Sequence, residues 1–123
     1  MTEHHHGQEV LSALAPQGRA LRQMIPEVYA GYNGLHAAAF EPGALDRRHK
    51  ELVALAIAVA LRCDGCIAAH ARSAAAHGAT REEVAETLGV TVLMTGGPGT
   101  VYAPRAYDAF VEFIEAREVR EAE

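Results

Sequence analysis

The fold is decided by residues 47–77, which read RRHKELVALAIAVALRCDGCIAAHARSAAAH. In this stretch, two alanine-rich hydrophobic segments are separated by a Cys-x-x-Cys pair, Cys63 and Cys66. Alanine has the highest intrinsic preference for the α-helix, so both segments are predicted to be helical. We expect one helix over about residues 45–61 and a second over about residues 64–77, with the cysteine pair at the start of the second.

The first of these helices opens with charged residues and becomes apolar on every side from Leu52 to Leu61. A helix that is apolar all round is buried, either in the core of its own chain or against a neighbouring subunit. Because a short chain buries a smaller fraction of its surface on folding, this pattern favours an oligomer.

Turn and cap residues divide the remainder of the chain into four more helices. Before the decisive stretch we expect a helix over residues 12–24, interrupted by a proline and a glycine, and another over residues 26–40. After it, the capping box formed by Thr80 and Glu83 predicts a fifth helix. A glycine-rich break at residues 96–99 then precedes the last helix. The predicted fold is therefore an all-α bundle of about six helices.

Length and charge limit the function classes. A chain of 123 residues has room for one domain, which we predict over residues 1–123 with flexible tails at residues 1–10 and 118–123. The formal net charge of −5 argues against nucleic acid as a partner, because no basic face offsets the acidic excess.

The N-terminal residues and the apolar run indicate a cytoplasmic protein. The chain begins without a basic segment followed by an apolar one, and the run from Leu52 to Leu61 is too short to cross a bilayer. We therefore expect no membrane partner. In a reducing compartment a cysteine pair rarely serves as a permanent crosslink, so the pair indicates either thiol–disulfide exchange or metal binding.

The residues that carry chemistry surround the cysteine pair. On a helix, Cys66 and His70 are four residues apart and share one face, while Cys63 lies at the helix start and can reach Cys66. The partial positive charge of a helix N-terminus favours the reactive thiolate. His70 could exchange a proton with that sulfur. Glu51 stands twelve residues before Cys63, where burial would raise the pKa of its carboxyl unless a partner offsets that effect.

The spacing Glu51, eleven residues, Cys63-x-x-Cys66-x-x-x-His70 resembles the core of alkyl hydroperoxidase D (AhpD) and the wider carboxymuconolactone-decarboxylase-like superfamily. The resemblance implies an all-helical fold, a homotrimer or homohexamer, and a peroxidase with no bound cofactor that an external lipoyl-type dithiol or dithiol carrier protein reduces. By position, it makes Cys66 the peroxidatic sulfur, Cys63 the resolving sulfur, and His70 with Glu51 the proton relay. The chain departs from that pattern at Gly65, where AhpD has a histidine.

Other interpretations of these residues stay open at this point. The same cysteines could bind a metal ion together with His70 and Glu51, or sense oxidation in a helical scaffold protein without catalysis. Three further histidines lack a partner at ligand spacing and are predicted to be exposed: His36, His49 and His77. The favoured prediction is an oxidoreductase that reduces hydroperoxides, with Cys66, Cys63, His70 and Glu51 as catalytic residues and no bound metal.

Overall fold

Caps and glycines set the helix limits in the computed structural model, which describes residues 3–123. The described residues form six helices and contain no strand, so the all-α prediction is confirmed. The helices are α1 (Gln8–Met24), α2 (Pro26–Phe40), α3 (Arg47–Ala60), α4 (Asp64–Ala76), α5 (Arg81–Thr95) and α6 (Gly97–Ala122).

Side chains cap the starts of the three middle helices. The Asp46 carboxylate accepts the His49 N–H at 2.8 Å at the start of α3. At the start of α5, the Thr80 hydroxyl accepts the Glu83 N–H and the Glu83 carboxylate accepts the Thr80 N–H, so the predicted capping box is present. Each cap satisfies a backbone donor that the helix itself leaves unpaired. The third cap, at α4, is a sulfur atom of the functional site.

The first and the last helix of the chain are longer than the sequence suggested. Helix α1 begins at Gln8 and continues through Pro16, because a proline inside a helix removes one hydrogen bond without always ending the helix. Helix α6 begins at Gly97, within the expected break, and continues to Ala122 through the expected tail at residues 118–123.

The N-terminal segment packs against α6. His4 Nδ1 lies 2.8 Å from the Asp108 carboxylate, and its Nε2 lies 3.5 Å from that of Glu115. The Gln8 N–H donates to Glu112 at 3.2 Å. Where the sequence suggested a flexible tail over residues 1–10, the structure therefore has a histidine anchored between two carboxylates; Met1 and Thr2 lie outside the described residues.

Helices α3 to α6 form the core, and small side chains let α4 pack closely against its neighbours. Every buried residue of α4 except Ile67 is an alanine. Phe110 of α6 and Leu55 of α3 are the largest apolar side chains that are fully buried in this core. Burial of such side chains supplies most of the driving force for folding.

Two surfaces of the fold keep apolar residues exposed. Helix α3 buries one side through Leu55 and Val59, but Val53 and Ile57 on the other side remain about half exposed. Helices α1 and α2 contain no buried residue. Among the described residues no helix combines the length and hydrophobicity needed to cross a membrane.

Candidate active site

A buried carboxylate, that of Glu51, lies at the bottom of the site. Glu51 lies in the first half of α3 and exposes none of its surface. One oxygen, Oε1, lies 2.8 Å from His70 Nδ1. The other, Oε2, accepts hydrogen bonds from Arg47 Nε and Ser73 Oγ, both at 2.7 Å. All three partners come from α3 and α4, so the packing of these two helices assembles the cluster.

These partners decide the ionisation of Glu51. Burial by itself raises the pKa of the carboxyl group, since an isolated charge is costly in the protein interior. Hydrogen bonds from His70, Ser73 and Arg47 outweigh burial and lower the pKa to about 2. Glu51 is therefore an anion at neutral pH. The sequence argument allowed for this outcome if partners offset the effect of burial, and the structure contains such partners.

The carboxylate fixes the ring of His70. An ionised carboxylate only accepts hydrogen bonds, so the contact assigns the ring proton to Nδ1. In the neutral imidazole, Nε2 then carries the lone pair that can take up a proton. The side chain is 21% exposed and lines two cavities beside the cysteine pair, so solvent and small molecules can reach it.

Cys63 and Cys66 form a disulfide at the N-terminus of α4, with their Cα atoms 5.2 Å apart. Cys63 is the N-cap residue, and its Sγ accepts the Cys66 N–H at 3.2 Å. Cys63 is half-buried, whereas Cys66 is exposed. Cys66 and His70 line the same two cavities, of about 290 and 750 Å³, so the sulfur is neither sealed in the core nor turned away from the imidazole.

Helix α2 contributes two residues that the sequence argument did not place in the site. The ring of His36 lies nearly parallel to that of His70, with centroids 6.3 Å apart and an interplanar angle of 10°. The Phe40 ring lies against both: it is tilted by 36° to His36, with centroids 4.6 Å apart, and stacks on His70, with centroids 5.5 Å apart. The expectation of an exposed His36 is therefore corrected: the residue is half-buried in the site. His49 and His77 are exposed, as predicted.

Local spacing could have indicated some of these partners. Arg47 lies four residues before Glu51, and Ser73 three residues after His70, both of which place side chains together on a helix. His36 has Tyr32 and Phe40 at such a spacing, but all three lie on a helix that a loop separates from α3.

The four residues proposed from the sequence divide into a hydrogen-bonded pair and a disulfide pair. Glu51 joins His70, and Cys63 joins Cys66, while all but Glu51 line the larger cavity. Across residues 3–123 no three or more His, Cys, Asp or Glu side chains are grouped to hold a metal ion. The arrangement can exchange electrons at the sulfurs and protons at the imidazole.

Comparison with known proteins agrees with this architecture. Residues 26–109 match the family described as "Carboxymuconolactone decarboxylase family". The fold is similar to the crystal structure of apo-lpg0406, a carboxymuconolactone decarboxylase family protein from Legionella pneumophila, with a TM-score of 0.83 and 43% sequence identity. That alignment covers 86% of this chain and 95% of the Legionella chain.

Two further relatives agree with this assignment: one is a solved structure with a lower TM-score, and the other is a protein named without an activity. The crystal structure of TM1620 from Thermotoga maritima aligns with a TM-score of 0.65 and 32% identity, over 84% of this chain and 91% of the other. A Cupriavidus necator protein, named only as the uncharacterized protein H16_B0147, is 40% identical over 100 residues. That match spans 81% of this chain and 88% of the relative.

Proposed function

Because this chain belongs to the carboxymuconolactone decarboxylase family and carries a disulfide beside an anchored imidazole, we propose that it is a thiol-dependent peroxidase. The proposed substrate is an alkyl hydroperoxide, and the enzyme cycles between a dithiol and the Cys63–Cys66 disulfide. The observation that carries the proposal is that Cys66 and His70 line the same cavities while Glu51 holds the His70 ring.

The oxidative half of the cycle begins with reduced Cys66. His70 Nε2 takes the thiol proton, and the thiolate attacks the distal oxygen of the hydroperoxide. The O–O bond breaks, Cys66 becomes a sulfenic acid, and the proton on His70 passes to the alkoxide, which leaves as an alcohol. The Glu51 carboxylate stabilises the imidazolium during this transfer, because its pKa keeps it ionised throughout.

Cys63 then resolves the sulfenic acid. The Cys63 thiol gives up its proton, its thiolate attacks the Cys66 sulfur, and the S–O bond breaks as the disulfide forms; the departing hydroxide takes up that proton and leaves as water. An external lipoyl-type dithiol, free or on a carrier protein, restores both thiols by exchange and becomes a cyclic disulfide itself. The exposure of Cys66, against the half-buried Cys63, supports Cys66 as the sulfur that meets both the peroxide and the dithiol.

The walls of the smaller cavity support an organic rather than an inorganic peroxide. This cavity, of about 290 Å³, reaches Cys66 and His70 and is lined mainly by apolar side chains, including Leu35, Phe40 and Leu61. An alkyl or aryl group would bury apolar surface there, whereas hydrogen peroxide would gain nothing from these walls.

The exposed apolar faces support the proposed assembly of three or six subunits. A groove of about 420 Å³ between α3 and α5 is lined by Val53, Ile57, Val90 and Met94, which are all exposed in the single chain. A second copy of the chain that covers this groove would bury those side chains.

The proposed location of the protein is the cytoplasm, where dithiol carriers stay reduced.

The test is turnover of cumene hydroperoxide with dihydrolipoamide as the reductant. We expect Cys66→Ser to abolish turnover, and Cys63→Ser to leave one oxidation event per chain without recycling. Circular dichroism of both variants checks that the helices are retained. Full dithiol-dependent activity in Cys66→Ser would contradict the proposal. Oxidation of wild-type thiols by one equivalent of peroxide, without multiple turnover, would instead favour a redox-sensing scaffold.

A further inference from the structure

Three arginines line the larger cavity together with the redox centre. This cavity has a volume of about 750 Å³, and its walls include Cys63, Cys66 and His70. Arg72 of α4 and two arginines of α6, Arg117 and Arg120, line the same cavity. The cavity volume lies within the range of small-molecule sites in proteins.

These guanidinium groups lack the partners that other arginines of the chain have. Arg47, Arg81 and Arg105 each pair with a carboxylate, at distances of 2.7 to 3.2 Å. Over residues 3–123, none of the guanidinium groups of the three cavity arginines makes a hydrogen bond or an ion pair. Glu112 lines a smaller cavity with the same three side chains but pairs with none of them. Exposed arginines elsewhere, such as those of α1, also lack a partner but do not converge on a cavity.

The local charge is therefore opposite to that of the chain as a whole. The protein has 16 acidic residues against 11 basic ones, yet three arginines meet at one cavity without an acidic partner. Arginine stays charged at every accessible pH and presents a planar set of donors that fits a carboxylate or phosphate. A ligand anion there would form charge-assisted hydrogen bonds, which are about twice as strong as neutral ones.

We propose that Arg72, Arg117 and Arg120 bind the anionic end of a small molecule whose other end reacts at the Cys63–Cys66 centre. The inference rests on the proposed function and adds the substrate class: a carboxylic acid rather than a neutral compound. Two reactants of the cycle could carry that group. One is an acidic hydroperoxide, which oxidises Cys66 and leaves as the hydroxy acid. The other is an acidic dithiol, which reduces the disulfide and leaves as its own cyclic disulfide.

The reductant is tested with a pair of dithiols that differ in charge alone. Dihydrolipoate ends in a carboxylate and dihydrolipoamide in a neutral amide, while the reacting sulfurs are the same. If the arginines bind the reductant, the wild-type protein should show a kcat/KM for dihydrolipoate about tenfold above that for the amide, as expected for one charge-assisted contact. The double variant Arg72→Gln/Arg120→Gln should lose this preference, so that its kcat/KM values for the two dithiols become equal.

The oxidant is tested with a fatty-acid hydroperoxide and its methyl ester. If the arginines bind the peroxide, the acid should be preferred about tenfold by the wild-type protein and not by the double variant. The matched control is Arg19→Gln/Arg22→Gln, which removes the same charge from exposed positions of α1 outside the cavity. A preference for the acid among the dithiols identifies the reductant as the anionic ligand, and a preference among the hydroperoxides identifies the oxidant. Turnover with no preference in either arm, or an equal loss in the control, overturns the proposal.

A binding measurement separates this inference from the proposed peroxidase activity. Octanoate and octanamide have the same chain and no redox chemistry, and calorimetry measures their affinity without turnover. We expect octanoate to bind the wild-type protein at least tenfold more tightly than octanamide, and the double variant to bind both equally. If no peroxide or dithiol is turned over, the proposed function fails, while the octanoate result still decides for or against the arginine site.

Discussion

His70 is joined at 2.8 Å through Nδ1 to Glu51, a carboxylate without any exposed surface. A buried anion that binds an imidazole fixes both the orientation of the ring and the position of its proton. The same geometry leaves His70 Nε2 available at the cavity that Cys66 lines. The first three predictions test what this pair and its stacking partner contribute to catalysis and stability.

Replacement of the carboxylate by an amide should slow the enzyme while the fold is kept. Glu51→Gln retains the shape of the side chain but removes the negative charge that, in the proposed cycle, stabilises a protonated His70. We expect kcat/KM for cumene hydroperoxide to fall about 100-fold, the lower end of the usual contribution of a proton-transfer group. Glu86→Gln, at an exposed position of α5, is the matched control and should retain the wild-type rate. An unchanged rate in Glu51→Gln would remove Glu51 from the relay.

The low pKa of Glu51 predicts a loss of stability in acid. Burial raises this pKa, but hydrogen bonds from His70, Ser73 and Arg47 outweigh burial and lower the pKa from an ordinary value of 4.5 to about 2. Because the folded pKa is the lower one, the stabilisation is complete above pH 4.5 and is lost as the pH falls towards 2. The shift corresponds to about 3 kcal/mol.

Urea unfolding of the wild-type protein and Glu51→Gln from pH 7 to pH 2.5 measures this loss. The difference in free energy of unfolding between the two proteins should be constant near neutrality and should shrink below pH 4.5. A difference that stays constant down to pH 2.5 would show that the Glu51 carboxyl titrates alike in the folded and unfolded chains.

The stacked ring of His36 should support the orientation of His70. His36→Phe keeps an aromatic ring against His70, whereas His36→Ala removes it, at a cost of about 0.5 to 1.5 kcal/mol for a ring pair. We expect kcat/KM to fall about threefold to tenfold in His36→Ala and to be largely restored in His36→Phe. The pH profile of kcat/KM should keep its form in His36→Phe. A large loss in both variants would instead indicate that the His36 imidazole itself takes part in proton transfer.

The contact of His4 with α6 should make the stability of the protein depend on pH above 6.5. The hydrogen bond to Asp108 is the main cause that raises the pKa of His4, and Glu115 acts in the same direction. A raised folded pKa means that the contact stabilises fully below pH 6.5 and is lost as the pH rises through the folded value. His4→Ala should therefore lower the melting temperature at pH 6 more than at pH 9. An equal lowering of the melting temperature at both pH values would contradict this prediction.

The groove between α3 and α5 should hold subunits together. Val90→Glu places a charge on a side chain that is 64% exposed in the single chain, so the fold of one subunit should tolerate it. If a second copy covers the groove, the buried charge should break the assembly. Analytical ultracentrifugation should give three or six times 13.1 kDa for the wild-type protein and a smaller mass for the variant. Val119→Glu, at an equally exposed position near the end of α6, should leave the mass unchanged.

Local signals in the sequence account for most of the fold. The capping box at Thr80 and Glu83 fixed the start of α5, and the cysteine pair marked the start of α4. The prediction was less accurate where distant contacts decide the outcome. His4 is held by residues more than a hundred positions away, which no local pattern could indicate.

The candidate site divides in the same way. The i,i+4 relation of Cys66 and His70 is a property of one helix and could be read directly. The contact of Glu51 with His70 joins two helices across 19 positions, so the sequence could suggest it only through a family resemblance. His36 was predicted to be exposed because it contacts His70 through the packing of α2 against the site. No spacing in the sequence indicates that contact.

The dual use of the Cys63 sulfur has a consequence for the speed of the cycle. This atom closes the disulfide and also accepts one of the free N–H groups in the first turn of α4, that of Cys66. A sulfur atom keeps lone pairs in both oxidation states, so reduction leaves the helix its cap. We expect both forms of the protein to share one backbone, and side-chain rotation alone to separate them. Turnover would then proceed on a fixed scaffold, limited by encounter with its reactants rather than by any need to unwind and re-form a helical turn.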